Sequence, residues 1–314
     1  MSGTRRDAFP LVSRARDVRA ALRTDGPFWR GLASGGVTHA PDVLLRTVPP
    51  VFAAAFALAL PEVRARVRGN LRRIVGARGY REEMVDVFRT FSHFASCFTE
   101  ALAIGAPEPR EAQCRVEGAE HLETAIARRR GVIAVTAHTG AWEAAGPLLK
   151  KALGVDMLIV MEREPDERAR RIQDEMRERS GVRIAHVGTE PLEILPLFTH
   201  LRRGGVLGVQ LDRAPSAMRS LPVRLFDGEG RVPSGPFWLA RATGAPIVPV
   251  FAYREGHFRY VIEISPPRVV PRDASDDLLG ATAQDVATEM ERFLRAHPTH
   301  WFHFAPEVPG RGPV

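Results

Sequence analysis

The feature that most constrains this chain is its rhythm after Pro107. Short, mostly apolar runs (Val132–Ala137, Met157–Met161, Arg183–Val187, Val206–Leu211, Ile247–Tyr253 and Arg259–Ile264) have the length and β-branched content of strands. Between them lie helical patterns at His121–Arg129, Trp142–Leu153, Asp166–Arg179, Leu192–Arg202 and Pro236–Thr243, and Gln284–Ala296 forms a closing helix. This alternation predicts an α/β fold, a mostly parallel central sheet flanked by helices. In such sheets, ligands gather at the carboxyl ends of the strands.

The first hundred residues read differently. Pro61–Val75 is a strongly basic helix carrying Arg64, Arg66, Arg68, Arg72 and Arg73, and Tyr80–Ile104 is a longer amphipathic one. The most hydrophobic run, Val48–Leu60, is too short to span a bilayer, which needs about 20 apolar residues. It fits a core helix or one lying in a membrane interface. Residues 1 to about 30 space Arg5, Arg6, Arg14, Arg16, Arg19 and Arg23 among apolar positions, as in a basic helix on an anionic membrane or a solvated helix face. We divide the chain into a helical, membrane-associating region (1–106) and an α/β region (107–314) within one continuous structural unit. No secretory signal opens the sequence.

Composition narrows the class. At 314 residues and 45% hydrophobic, the chain can bury a large core. The net charge of +7 favours anionic partners, such as acidic headgroups or phosphorylated substrates. Aromatic residues are only 7% and no zinc-finger or RNA-binding motif is present, which argues against nucleic acid. Cys97 and Cys114 lack metal-ligand spacing and read as small apolar fillers. The sequence has no Walker loop, no GxSxG elbow and no dinucleotide fingerprint. No cofactor or metal is expected.

The densest chemistry lies in Gly131–Pro147, GVIAVTAHTGAWEAAGP. An apolar strand ends at His138, Thr139-Gly140 turns the chain, and a helix opens at Trp142-Glu143. His138 and Glu143 are five positions apart, roughly 140° on a helix, so they meet only if His138 is on the loop and Glu143 on the helix. Gly140 permits that turn. The result is an imidazole steered by a carboxylate, a general base beside a helix N-terminus. The competing reading is an ordinary strand-end histidine and a helix-start carboxylate.

Other candidates surround it. Asp212-Arg213 follows a strand directly and reads as a substrate-positioning pair, a clamp on the His138 loop, or a surface ion pair. Phe226-Asp227-Gly228 and Arg231–Pro236 form a turn-rich loop in which Ser234 is placed to cap the next helix, whose free N–H groups would hold negative charge. Arg163 lies just past another strand, where a guanidinium can bind phosphate with two bonds. His300 and His303 lack a third ligand and read as a packed aromatic tail rather than a metal pair.

His138-Thr139-Gly140-Ala141-Trp142-Glu143 resembles the H-x4-D/E signature of the lysophospholipid acyltransferase superfamily. It is most similar to the H-x-G-x-W-E/D form of the branch containing late lipid A biosynthesis and phosphatidylinositol mannoside acyltransferases. Ala144-Ala145-Gly146 resembles the small residues that follow there. Asn70-Leu71 resembles the branch's R-x-N-L segment, Phe91–Glu100 its next helix, and Arg163 an arginine after the second strand. Arg177–Gly181 is similar to its R-x-x-x-G step, and Gly205–Asp212 to a strand ending in an acid. Phe226–Gly228 and Gly235–Pro249 resemble its F-x-G and G-x-x-x-L-A-x-x-T-G-A-P-V-V-P blocks. The resemblance covers about residues 40–305. Arg213 departs from the branch's usual glutamine after the acid, and the apolar N-terminal anchor is shorter.

The resemblance implies a glycerol-3-phosphate acyltransferase-like fold and an O-acyltransferase at the cytoplasmic face of the inner membrane, held peripherally. The donor would be acyl carrier protein or acyl-CoA, and the acceptor a lipid or glycolipid hydroxyl. His138 would be the general base and Glu143 its partner. Gly140, Trp142, Arg163, Asp212, Arg213, Phe226, Gly228 and Ser234 would contact substrate, with oxyanion donors from N–H groups near Gly140 or from Arg163. The alternatives are an acyl-thioesterase and a catalytically silent lipid-binding protein.

Overall fold

The computed structural model describes residues 40–106, 108–162, 181–188, 191–214 and 218–304, together with Val37, Glu167, Arg170, Arg171, Asp174 and Glu178. Three helices come first: α1 (Asp42–Ala59), α2 (Pro61–Val75) and α3 (Tyr80–Ile104). Then follow β1 (Gln113–Glu117), α4 (Ala119–Ala127), β2 (Val132–Thr136), α5 (Trp142–Leu153), β3 (Met157–Glu162) and β4 (Arg183–Val187). The second half holds α6 (Leu195–Arg202), β5 (Val206–Gln210), β6 (Ser220–Leu225), β7 (Gly228–Pro233), α7 (Gly235–Thr243), β8 (Ile247–Gly256), β9 (Arg259–Ile264) and α8 (Asp276–Ala296).

Seven strands form one sheet in the order β1-β9-β8-β2-β5-β3-β4. All neighbours are parallel except the β8–β9 hairpin. The α/β architecture with a mostly parallel sheet and a helical N-terminal region is therefore what the molecule has. Strand β2 is buried on both faces, because successive side chains point opposite ways. Val132 and Ala134 enter one core with Leu148 and Leu149 of α5, while Ile133 and Val135 enter the other with Phe237 and Ala240 of α7.

This topology creates a crevice. The chain leaves β2 for α5 on one face, and after β5 it reaches α7 on the other. Because β2 and β5 are neighbours, their carboxyl ends lie side by side under connections that part in opposite directions. Ligand sites of open α/β sheets form at such a switch point.

Three strands escape the sequence pattern. β1, QCRVE, is a polar edge strand. The stretch read as a turn-rich loop is a hairpin: β6 and β7 pair in register from Ser220↔Pro233 to Leu225↔Gly228. Phe226 and Asp227 form its two-residue turn with φ of 52° and 61°, the geometry that matches strand twist. Prolines and glycines hid both strands. Helix α8 begins two turns earlier than expected, where the Ser275 hydroxyl accepts a hydrogen bond from the Leu278 N–H. The helix expected over residues 1–30, Arg163 and most of Asp166–Arg179 lie outside the described residues.

Helix α1 corrects the reading of the apolar run. It extends back to Asp42, reaching 18 residues of mean hydropathy 1.5, long and apolar enough by length and composition to cross a membrane. One stripe, Leu45, Pro49, Ala53 and Ala57, is buried, with Ala53 and Ala57 against Val87 and Phe91 of α3. Val43, Val51, Phe52 and Leu58 remain more than half exposed.

Candidate active site

Ala137 and His138 continue from the end of β2, and Asp212 stands two residues past β5. The sheet thus brings together groups that lie 74 positions apart. Asp212 Oδ1 accepts two hydrogen bonds from His138, one from the backbone N–H at 3.1 Å and one from ring Nδ1 at 2.8 Å. Its other oxygen accepts from the Trp301 indole N–H at 3.0 Å, with His303 Nδ1 at 3.8 Å. The Asp212 side chain is fully buried and that of His138 is 13% exposed.

Burial alone would raise the Asp212 carboxyl. The charge and hydrogen bond of His138, the His303 ring and the Arg213 guanidinium outweigh it and hold the group well below the usual carboxylate range. An ionised carboxylate only accepts, so Nδ1 of His138 is the donor. Nε2 then carries the lone pair that a general base needs.

Glu143, the carboxylate that the spacing pointed to, lies in the first turn of α5. It lines a small apolar cavity with Phe94, Cys97, Phe98, Gly140, Trp142 and Phe302. The carboxylate on His138 Nδ1 is that of Asp212. No short-range pattern announces that pairing, because the two residues share only a strand neighbourhood. The Trp142 ring meets His138 edge-on at 5.1 Å between centroids.

Gly140 is required by close approach. At φ +39°, a Cβ here would stand 2.3 Å from the Ala252 carbonyl oxygen and 2.5 Å from Tyr253 Cα. Its N–H, expected among the oxyanion donors, is bound to the His300 carbonyl at 3.0 Å.

Residues 300–304 run beside the loop like an added strand. Thr139 and Trp301 form an antiparallel bridge, and the Phe302 N–H donates to the His138 carbonyl at 2.8 Å. Arg213 Nη2 donates to the Phe302 carbonyl at 2.9 Å, which places Arg213 as a clamp on this tail. Asn70 Nδ2 on α2 donates to the His303 carbonyl at 2.9 Å. The sequence showed these residues as an aromatic tail, and nothing local marked Trp301 as a neighbour of Asp212. His300 faces the Arg254 carbonyl and stacks on His93, so the two tail histidines serve different partners.

Phe226 packs on Trp301 at 5.7 Å, and its N–H donates to Glu291 Oε2 at 2.7 Å. Gly228 closes the same hairpin opposite Leu225. Ser234 sits at the other end of β7 and does not cap α7: its buried hydroxyl donates to the Arg219 carbonyl at 3.0 Å, and Gly235 begins the helix. Burial pushes both thiols up, that of Cys114 to about 11, so neither is a ready nucleophile.

The family profile of the bacterial lipid A biosynthesis acyltransferases matches residues 27–307. Two relatives named phosphatidylinositol mannoside acyltransferase, from two strains of Mycobacterium tuberculosis, are 27% identical over 195 residues, covering 61% of this chain and 59% of theirs. The chain thus spans 59% of the length of these relatives. A protein of the same name from Mycolicibacterium smegmatis is 27% identical over 249 residues, covering 77% of this chain and 78% of its own.

Proposed function

The chain belongs to the bacterial lipid A biosynthesis acyltransferase family, and from that premise we propose that it moves a fatty acyl group from an acyl thioester to a hydroxyl of a membrane glycolipid. The observation that carries this reading is the bond between His138 Nδ1 and ionised Asp212 at the mouth of the β2–β5 crevice. It leaves His138 Nε2 free to take the proton of an acceptor hydroxyl.

In this mechanism the acceptor oxygen attacks the thioester carbonyl while Nε2 removes its proton. The tetrahedral oxyanion then collapses and the carbon–sulfur bond breaks. The leaving thiolate takes the proton from His138 Nε2, departing as the thiol of the carrier and restoring the neutral imidazole. Asp212 keeps the imidazole in the productive tautomer and stabilises its cationic form, as the buried aspartate does in serine hydrolases. No covalent acyl-enzyme is needed. With the Gly140 N–H engaged, we assign oxyanion or phosphate recognition to Arg163. Glu143 belongs to the wall beside the loop, near the positive end of α5.

The donor is acyl carrier protein or acyl-CoA, both anionic carriers suited to a chain of net charge +7. The family's description and the relatives' names both point to a glycolipid acceptor. Residues 1–106 are the membrane-associating region and 107–314 the catalytic one. Helix α1 supports this reading: one stripe packs on α3, the opposite one is exposed, and basic α2 follows it directly. We place the protein peripherally at the cytoplasmic face of the inner membrane.

The test is an intact-mass assay of wild type and His138→Ala with mixed acyl thioesters and total membrane lipid. Lipids should gain one acyl mass with wild type alone, and the variant should lose about 100- to 10,000-fold in rate. Free acid without acylated lipid, or a fully active variant, would refute this reaction.

A further inference from the structure

The second oxygen of Asp212 has a role of its own. Oδ1 is shared by the backbone N–H and ring Nδ1 of His138, so the orientation of the carboxylate is fixed from the other side, where the Trp301 N–H meets Oδ2 at 3.0 Å. Trp301 is buried and held at three points. Its backbone bridges Thr139, its ring lies 5.7 Å from Phe226, and the His303 ring lies 5.1 Å on. Phe226 is itself fixed in a positive-φ turn that a bulky residue adopts only under constraint. The donor therefore stands on a rigid frame bonded to the loop that it serves.

We propose that Trp301 is a positioning residue: its indole N–H sets the orientation of the Asp212 carboxylate and, through it, the basicity of His138. This deepens the reading of His138 as general base and rests on it. Outer hydrogen bonds of this kind tune a catalytic histidine by fixing the group that fixes it. Among the described residues, Arg213 beside Asp212 and His303 from the tail are the further charged or titratable groups acting on the carboxylate. Removing a donor from an anion makes the anion more basic, so loss of the indole N–H raises the affinity of the Asp212–His138 pair for a proton.

The experiment is Trp301→Phe in the full chain, which keeps a ring and deletes the N–H. In ¹⁵N-histidine-labelled protein, with His138 assigned by its disappearance in His138→Gln, its titration midpoint should rise by on the order of half a unit to one unit. The maximal transfer rate should fall about 10- to 100-fold, with KM for the thioester within about twofold. A folded variant with an unmoved midpoint overturns the proposal, even if its rate falls. If the variant does not fold, the wild type still decides. The Trp301 indole resonance should shift with the His138 midpoint, and an indole blind to that titration refutes the link. Both spectra are read without substrate, so a wild type inactive on every thioester would sink the acyl-transfer reading and leave this test standing.

Discussion

Two buried carboxylates in this molecule each hold a histidine through Nδ1, and they differ in whether a guanidinium shares the anion. Glu100 of α3 is 1% exposed and its Oε1 binds Arg254 through Nε at 3.0 Å and Nη2 at 2.7 Å, as well as His257 Nδ1 at 3.1 Å. Its Oε2 accepts from the Tyr260 hydroxyl. Burial, then Cys97 and Glu100, push that phenol well above its usual range. The bond to Glu100 outweighs burial and raises the Arg254 guanidinium. Asp212, equally buried, is hydrogen-bonded by a histidine and an indole, while the neighbouring Arg213 reaches the Phe302 carbonyl. On the proposed reading, a histidine–carboxylate pair is thus a strut in one place and a general base in the other. Where a guanidinium already neutralises the anion, the histidine adds one more donor to it through Nδ1, and its buried Nε2 has no hydrogen-bond partner among the described residues. Where the imidazole is the main partner, its charge and hydrogen bond hold the buried carboxyl ionised.

That contrast is broken most directly by exchanging each acid for its amide. Asp212→Asn should cost about 100- to 10,000-fold in transfer rate, since the imidazole loses its tautomer and its counter-charge, and the melting temperature should fall as well because the fold favours the ionised carboxylate. Glu100→Gln should act on stability alone. It strands the Arg254 charge in the interior and should destabilise the fold by about 3–5 kcal/mol, with activity per folded molecule retained. Calorimetry beside the intact-mass assay checks both, and a Glu100→Gln protein that is stable but inactive would erase the distinction.

A smaller effect separates loop geometry from ring chemistry. Gly140→Ala should push the loop off β8, destabilising the protein by about 1–3 kcal/mol and slowing transfer through displacement of His138. Unchanged denaturant midpoint and rate would show that the close approach to Ala252 has no consequence.

The smallest effect concerns histidines that must not titrate. Burial, then His93 and His297, hold His300 well below the ordinary imidazole range, and burial lowers His93 as well. A folded-state value below the unfolded one means that the unfolded chain binds more protons as pH falls. Stability should therefore be full above about pH 6.5 and decline below it, by at most about 1.4 kcal/mol per pH unit for each such group. Asp212 adds a loss only below about pH 4, through the same sign. Melting temperatures at several pH values should show the decline, and His300→Asn should flatten it.

The sequence by itself determined the periodic parts of this protein. The bounds of α2, α3, α5, β4 and β9 coincide with those read from apolar spacing, and His138 is legible at a strand's end because an apolar run stops there before a glycine turn. What the tertiary structure decided is everything that depends on which strands are neighbours. Sheet order sets β5 beside β2 and so delivers Asp212 to His138 across 74 positions, and the return of the chain after α8 delivers Trp301 to Asp212 across 89. Histidine–carboxylate pairs also form at His186–Asp174, His257–Glu100 and His297–Glu263, so composition and local spacing do not single out the pair proposed as catalytic. The H-x4-E spacing drew attention to Glu143 because local geometry is all that spacing encodes. The partner on Nδ1 came from a contact between strands, whose register is a property of the folded sheet.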